Sequence, residues 1–307
     1  MYYPYLRGRQ FELIALREFA ENHGSKNNII PILEPVKKPH SGFKLAIPKL
    51  IKEGIKFALI LSPQNGDYKK SAFTLNGIED LLKNTNIWIP AFIIKNNYKE
   101  IEGLINLYNY DDVMLICNEL TDTTNEVFQK LVMSRPVKYI VCQNNRTLKS
   151  LITDTDKSLI RLDDNFNGQK RNIDYLDVAE EKFSEEHLFY SRDGFSGFSD
   201  YTSLSSQFVE GGSVPYAVSI HLTYQKSNNE IWIRHFTSES YPTSQANIQM
   251  KFAEACAKAL KFMDEENIST EAIEELRKYY TEAKYPGLGV VKKISIKHHL
   301  ELINNIA

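Results

Sequence analysis

The sequence predicts an α/β protein of (β/α)8 TIM-barrel-like type, with a C-terminal β-hairpin and a helical extension. Three observations predict it. Short apolar, β-branched runs recur at intervals of roughly 20 to 30 residues, the span of a strand–helix unit. The stretches between many of them carry helical apolar stripes or capping residues. Eight such runs is the strand count of a closed barrel, whose chemistry gathers at the C-terminal strand ends.

The elements follow in order. A first helix is expected over residues 10–22, where Phe11, Ile14, Ala15, Leu16 and Phe19 make one apolar stripe that Gly24 ends. The first run, Ile29-Ile30-Pro31-Ile32-Leu33, stops at Glu34. Ile47-Pro48-Lys49-Leu50-Ile51 then opens a helix with proline near its first turn, where the missing N–H costs little. Residues 57–61 form the second run and end at Ser62; residues 87–94 form the third and end at Lys95. The fourth, 113–117, precedes Asn118-Glu119, and the fifth, 137–142, precedes Gln143. Helices are expected between them at 77–83, 97–108, 125–133 and 147–153. Ser158-Leu159-Ile160-Arg161-Leu162 is the sixth run and ends at Asp163; Leu188-Phe189-Tyr190 is the seventh, shortly before Asp193.

Over residues 165–212 the rhythm loosens. Residues 193–201, rich in Gly, Ser and aromatics, read as a shaped loop over the barrel's top face. Gly211-Gly212 reads as a tight turn. The eighth run, Tyr216-Ala217-Val218-Ser219-Ile220, continues to Tyr224 and pairs with Ile231–Phe236 as an antiparallel hairpin. Helices are expected at 244–263, 270–283 and from 295 to the last residue. The organisation is one domain, with a barrel core over 1–224 and the return strand and helices over 225–307.

Bulk properties narrow the function. The chain has 307 residues, 42% of them hydrophobic and 25% charged, an ordinary globular composition. Its formal charge of -2 gives no overall basic bias, so direct nucleic-acid binding is not indicated by net charge, and a local patch is invisible at this level. Cys117, Cys142 and Cys256 lack ligand or redox spacing and read as buried hydrophobes of a reducing, cytoplasmic setting. No signal peptide and no spanning apolar run is present, so no membrane association is expected. Gly287-Leu288-Gly289-Val290-Val291 lacks the spacing and Lys-Ser/Thr of a phosphate loop. Lys37-Lys38, Lys292-Lys293 and Lys297-His298-His299 read as solvated basic clusters.

Two constellations carry chemistry. On the hairpin, Ala217, Ser219, His221 and Thr223 share one face, and Arg234 and His235 point to opposite faces of the return strand. The register decides which of the two joins His221; either pairing suits acid–base work or anion binding. The second set is carboxylate: Glu34, Glu119, Asp163, Asp164 and Asp193 follow strand ends that a barrel would bring together. With His221 they could ligate a divalent metal; capping is the competing explanation for each. The expected site has His221, His235, Glu34 and Asp193 as acid–base or metal-binding groups, and Arg234 as anion clamp. The metal and cofactor are unknown.

The stretch Tyr3-Pro4-Tyr5-Leu6-Arg7-Gly8-Arg9-Gln10-Phe11-Glu12, followed by Ile30-Pro31-Ile32-Leu33-Glu34-Pro35, resembles the opening of the phage beta-protein family. Phe198-Ser199-Asp200-Tyr201, Ser219-Ile220-His221-Leu222-Thr223-Tyr224, Arg234-His235-Phe236 and Lys297-His298-His299-Leu300 are similar to segments of its uncharacterised bacterial subgroup. The resemblance is patchy but runs nearly end to end. It implies a protein acting beside a nuclease-like partner in a phage-defence or mobile-element module. It also adds Arg7, Arg9, Glu12, Asp200 and His299 to the residues to place, with Arg7, Arg9 and Asp200 joining Arg234 as ligand-binding residues. The expected function is a top-face pocket for a phosphate-bearing or nucleotide-like ligand. A non-catalytic binding scaffold and a metal-dependent phosphodiester hydrolase are the alternatives.

Overall fold

The computed structural model describes residues 1–307 except 25, 84, 121, 212–214 and 241–242. In chain order its elements are β1 (Tyr5–Leu6), α1 (Gln10–His23), β2 (Ile32–Leu33), α2 (Ser41–Lys52), β3 (Phe57–Ile60), α3 (Glu79–Lys83) and β4 (Trp88–Ile93). Then come α4 (Tyr98–Tyr108), β5 (Val113–Ile116), α5 (Glu126–Met133), β6 (Val137–Cys142), α6 (Arg146–Ile152), β7 (Ser158–Leu162) and β8 (Glu180–Ser184). The chain finishes with α7 (Glu186–Phe189), β9 (Gly197–Ser199), β10 (Ser219–Gln225), β11 (Ile231–Thr237), α8 (Ile248–Glu265), α9 (Glu271–Thr281) and α10 (Leu288–Ile306).

These elements form two compact units. Unit 1 is Met1–Leu13, Ala20–Asp163 and Glu186–Asp200; unit 2 is Ile14–Phe19, Asp164–Glu185 and Tyr201–Ala307. The division does not follow the 224/225 boundary read from the sequence.

Unit 1 is a (β/α)8 TIM-barrel-like sheet of eight strands in the order β1-β2-β3-β4-β5-β6-β7-β9. Every neighbouring pair is parallel. The sheet's two ends meet: Tyr3 N donates to Phe198 O at 2.8 Å, Tyr5 N to Asp200 O at 2.8 Å, and Phe198 N to Met1 O at 3.2 Å. Parallel strands covered on both faces need apolar residues on both, which is why the runs are continuous rather than alternating. Phe92, Leu115, Ile140 and Leu159 pack outward against Ile101 and Ile105 of α4, Phe128 of α5 and Leu148 of α6. Their strand neighbours Ala91, Met114, Val141 and Ile160 are equally buried and point the other way, into the barrel. The helices begin where short polar side chains satisfy their first N–H groups. Asn125 accepts from Val127 N and Phe128 N, and Asn145 from Leu148 N.

Two of the eight expected strands are corrected. Leu188 and Phe189 end α7, a single half-exposed turn, rather than forming a strand. Residues 216–220 do not enter the barrel; from Ser219 they belong to a separate antiparallel sheet in unit 2. Their places are taken by Tyr5–Leu6 and by Gly197–Ser199, inside the stretch expected to be a loop. Both are too short to register as apolar runs, and Gly197 has a steric reason. A Cβ there would lie 2.6 Å from Tyr3 Cε2 and 2.8 Å from Met1 O, so glycine lets the N-terminal segment close against β9. α2 also starts earlier than expected and carries Pro48 in its interior, and α10 starts at Leu288.

Unit 2 is built on the three-stranded sheet β10-β11-β8, antiparallel throughout. Val218, Ile220, Leu222 and Phe236 pack on Phe252, Ala255, Ala259 and Met263 of α8 and Ile273 and Leu276 of α9. The other face of β10 is polar. Gly212, half of the expected Gly211-Gly212 turn, lies outside the described residues.

Candidate functional site

In unit 1 the strand ends hold several separate groups of charges. Glu34, just past β2, has no exposed surface. Its carboxylate accepts from Tyr5 Oη at 2.9 Å, Gln64 N at 3.0 Å and Asn65 Nδ2 at 2.9 Å, and Arg7 Nε lies 4.0 Å away. At the end of β7, Arg161 Nε donates to Asp163 at 2.8 Å, and the same guanidinium sits 2.9 Å from Glu186 and 3.6 Å from Asp193. Burial raises the Asp163 carboxyl above its usual range, against the pull of Arg161. Asp200 accepts from Tyr2 Oη at 2.5 Å. Strand alternation places Ile32 and Glu34 on one face of the wall, and Leu159, Arg161 and Asp163 on the outer, helix-facing side. The expected carboxylates therefore do not share one site: Glu34 has its own donors, Asp163 and Asp193 share Arg161, Glu119 pairs with Lys95 at 2.7 Å, and Asp164 accepts from Ser206 N at 3.0 Å. Arg9 is the N-cap residue of α1, and Glu12 is buried in that helix's first turn.

In unit 2 the register answers the question the sequence left open. His221 pairs directly with His235, and Leu222 with Arg234. The two imidazoles meet Nδ1 to Nδ1 at 2.7 Å. Tyr175, on a 3-10 turn over Asn172–Leu176, lies against both, with ring centroids 4.6 Å from His221 and 4.5 Å from His235. Phe166 meets both edge-on. Glu181 of β8 lies behind, its Oε1 3.4 Å from His235 Nε2 and its Oε2 accepting from Asn167 Nδ2 at 2.7 Å.

The network selects the tautomers. An ionised carboxylate only accepts, so His235 Nε2 carries hydrogen toward Glu181 and its Nδ1 is left as acceptor. His221 must then donate through Nδ1, which puts its lone pair on Nε2. That nitrogen has no protein hydrogen-bond partner among the described residues, and His221 is only half-buried. Both rings are held neutral. Burial pushes His221 well below the usual histidine range, helped by the neighbouring His235 and by Lys292 of α10. Burial lowers His235 too, and Glu181 opposes it. The arrangement Glu181–His235–His221 can take up a proton at His221 Nε2 and spread the charge toward a carboxylate.

Arg234 is not part of this group. It lies on the opposite sheet face, 3.4 Å from Glu180 and stacked 4.4 Å over the Phe262 ring. His299 sits on the polar side instead, its Nδ1 2.9 Å from Thr223 Oγ1 and its ring edge-on to Phe183. Sequence reasoning missed Glu181, Tyr175 and Phe166, because their stretch shows neither helical nor strand periodicity over a useful length. The one available signal was Glu181 and Phe183 at strand spacing. Among the described residues, no group of three or more His, Cys, Asp or Glu side chains is gathered to hold a metal ion. None of their helices is long and apolar enough to cross a membrane.

Fold and site together define a TIM-barrel-like α/β protein with a paired-histidine sheet in its second unit. No model of a known protein family matches the chain, and no curated protein matches it.

Proposed function

We propose that the chain binds a phosphate-bearing, nucleotide-like ligand at the polar face of the β10–β11 hairpin, with His221 as the acid–base group. The observation that carries this reading is the 2.7 Å Nδ1–Nδ1 contact backed by Glu181, which leaves the Nε2 lone pair with no other protein partner among the described residues. Lys292 supplies positive potential at the same imidazole, a setting that favours an anionic ligand. Arg234, turned to the other sheet face, has no part in it. His235 and Glu181 position the base, and Tyr175 fixes the rings.

The test is nitrogen-detected NMR of the histidines during titration with inorganic phosphate and adenosine monophosphate. The expected result is a shift confined to His221 and His235 that His221→Ala abolishes. No response to either probe at millimolar concentration removes the reading.

A binding scaffold without chemistry is the second reading. It is favoured by the internal pairing of Ser219 with Thr237 at 2.7 Å and of Thr223 with His299 on the same face. It expects His221→Ala to leave every binding property intact. The nuclease-like partner and the defence or mobile-element setting rest on the family resemblance, and co-expression with the neighbouring gene product tests them by co-purification.

A further inference from the structure

Lys37-Lys38 and Lys69-Lys70 are separated by some thirty residues of sequence, yet unit 1 brings them onto one surface. The β2–α2 and β3–α3 loops are locked together. Asp67 N donates to Val36 O at 3.0 Å, and Asp67 Oδ2 accepts from Lys38 N at 2.7 Å. Lys38 Nζ donates to Ser71 Oγ at 3.0 Å, and Lys37 Nζ lies 3.4 Å from Asp67 Oδ1. Gly66 makes this approach possible: it has φ +60°, and a Cβ there would fall 2.0 Å from Val36 O. Lys44, on the first turn of α2, lies close enough to bias His40 together with Lys38. All five lysines are exposed.

Residues 35–44 and 64–73 together contain those five lysines and one carboxylate, Asp67, while the whole chain carries -2. The surface follows the carboxyl ends of β2 and β3, the face on which barrels of this type hold their ligands. The cations are lysines, compact and solvated, not arginines arranged for bidentate recognition. They spread over two loops, more charge than one phosphate group requires. The neighbouring aromatics do not form a stacking platform: Tyr68 is buried, and it stacks on His40 at 5.8 Å. Stacking platforms mark single-strand binders, and point charges without them fit a duplex backbone.

We propose that the Lys37, Lys38, Lys44, Lys69 and Lys70 surface contacts the phosphate backbone of a nucleic-acid duplex, without reading its sequence. Each lysine that pairs with a phosphate contributes about 0.9 to the slope of log K against log salt. Binding of the full chain to a fluorescent mixed-sequence DNA duplex, measured by anisotropy over a salt series, tests this. The quadruple variant Lys37→Gln, Lys38→Gln, Lys69→Gln, Lys70→Gln keeps every backbone hydrogen bond of the two loops. It is expected to reduce the slope by about 3 to 4. A control that neutralises Lys99, Lys130, Lys261 and Lys278, all exposed and in helices, is expected to leave the slope in place. Equal losses in both variants, or no salt-dependent binding by the unmodified chain, overturns the proposal. Tighter binding to poly-glutamate than to the duplex overturns it in favour of an acidic protein, and tighter binding to a single strand overturns the duplex assignment.

Discussion

Nε2 of His298 lies 2.7 Å from the carbonyl oxygen of Thr223, so helix α10 caps the outer edge of strand β10, which no other strand pairs with, through a side-chain hydrogen bond. A carbonyl only accepts, which fixes the Nε2–H tautomer and makes Nδ1 the acceptor from Thr270 Oγ1 at 2.9 Å. The ring has no exposed surface. Sheet edges are reactive unless covered, and here the cover is specific.

That bond carries a pH dependence. Burial drives the His298 imidazole down from 6.5 to about 4, with His299 adding to the effect and the Thr223 bond opposing it. Between those values the unfolded chain holds a proton that the folded chain excludes, so stability falls as pH drops through that window and levels off below it. The full loss is roughly 3 kcal/mol. Urea unfolding at pH values from 7 to about 4, compared with His298→Gln, isolates this residue from His221 and His235, which titrate in the same direction. Parallel profiles for the two proteins would show that His298 contributes nothing.

Glu34 is the second target. Replacing it with alanine strips the acceptor from buried Tyr5 Oη and from half-buried Gln64 N and Asn65 Nδ2, at a position that itself has no exposed surface. The expected cost is about 3 kcal/mol, because buried donors left unpaired lose their full solvation. Glu34→Gln keeps an acceptor oxygen and is expected to cost roughly a third as much. Chemical denaturation ranks the two; equal costs would mean the carboxylate is not what holds the loop.

Gly66→Ala tests the loop pairing directly. The φ of +60° and the 2.0 Å approach to Val36 O cannot both persist with a Cβ present. A loss of about 2 kcal/mol or more is expected, with faster amide exchange at Asp67 and Lys38. Unchanged exchange at those two amides would contradict the pairing.

The thiols give a simple check on burial. Cys117, Cys142 and Cys256 are free and buried, and burial pushes Cys142 and Cys256 up to about 12 and raises Cys117 well above the ordinary thiol range. Thiolate is the reactive form, so the native protein is expected to resist a thiol-disulfide reagent at pH 8, while all three react in denaturant. A rapid single equivalent in the native protein would identify a thiol placed wrongly.

Six of the eight barrel strands were readable from the chain, as was most of the helix pattern between them. Parallel strands buried on both faces must be apolar at every position, and that leaves a local mark. β1 and β9 leave none, since a two-residue strand and one containing Gly197 are defined by what they pair with. The hairpin was legible for the same local reason, through its alternation and polar turn. Its site was only half legible: His221 and His235 stood out, while Glu181 and Tyr175 come from a stretch with no period.

By itself the sequence determined the fold class, the hairpin, the free buried thiols and the histidines worth placing, because periodicity and residue chemistry are carried by neighbours along the chain. Tertiary structure alone decided that His235 rather than Arg234 faces His221, since a shift of one residue in register exchanges the two faces. It alone decided that Glu34 and Asp163 serve separate networks, and that two lysine pairs thirty residues apart share one surface. Each of these depends on distances between segments that no local pattern encodes.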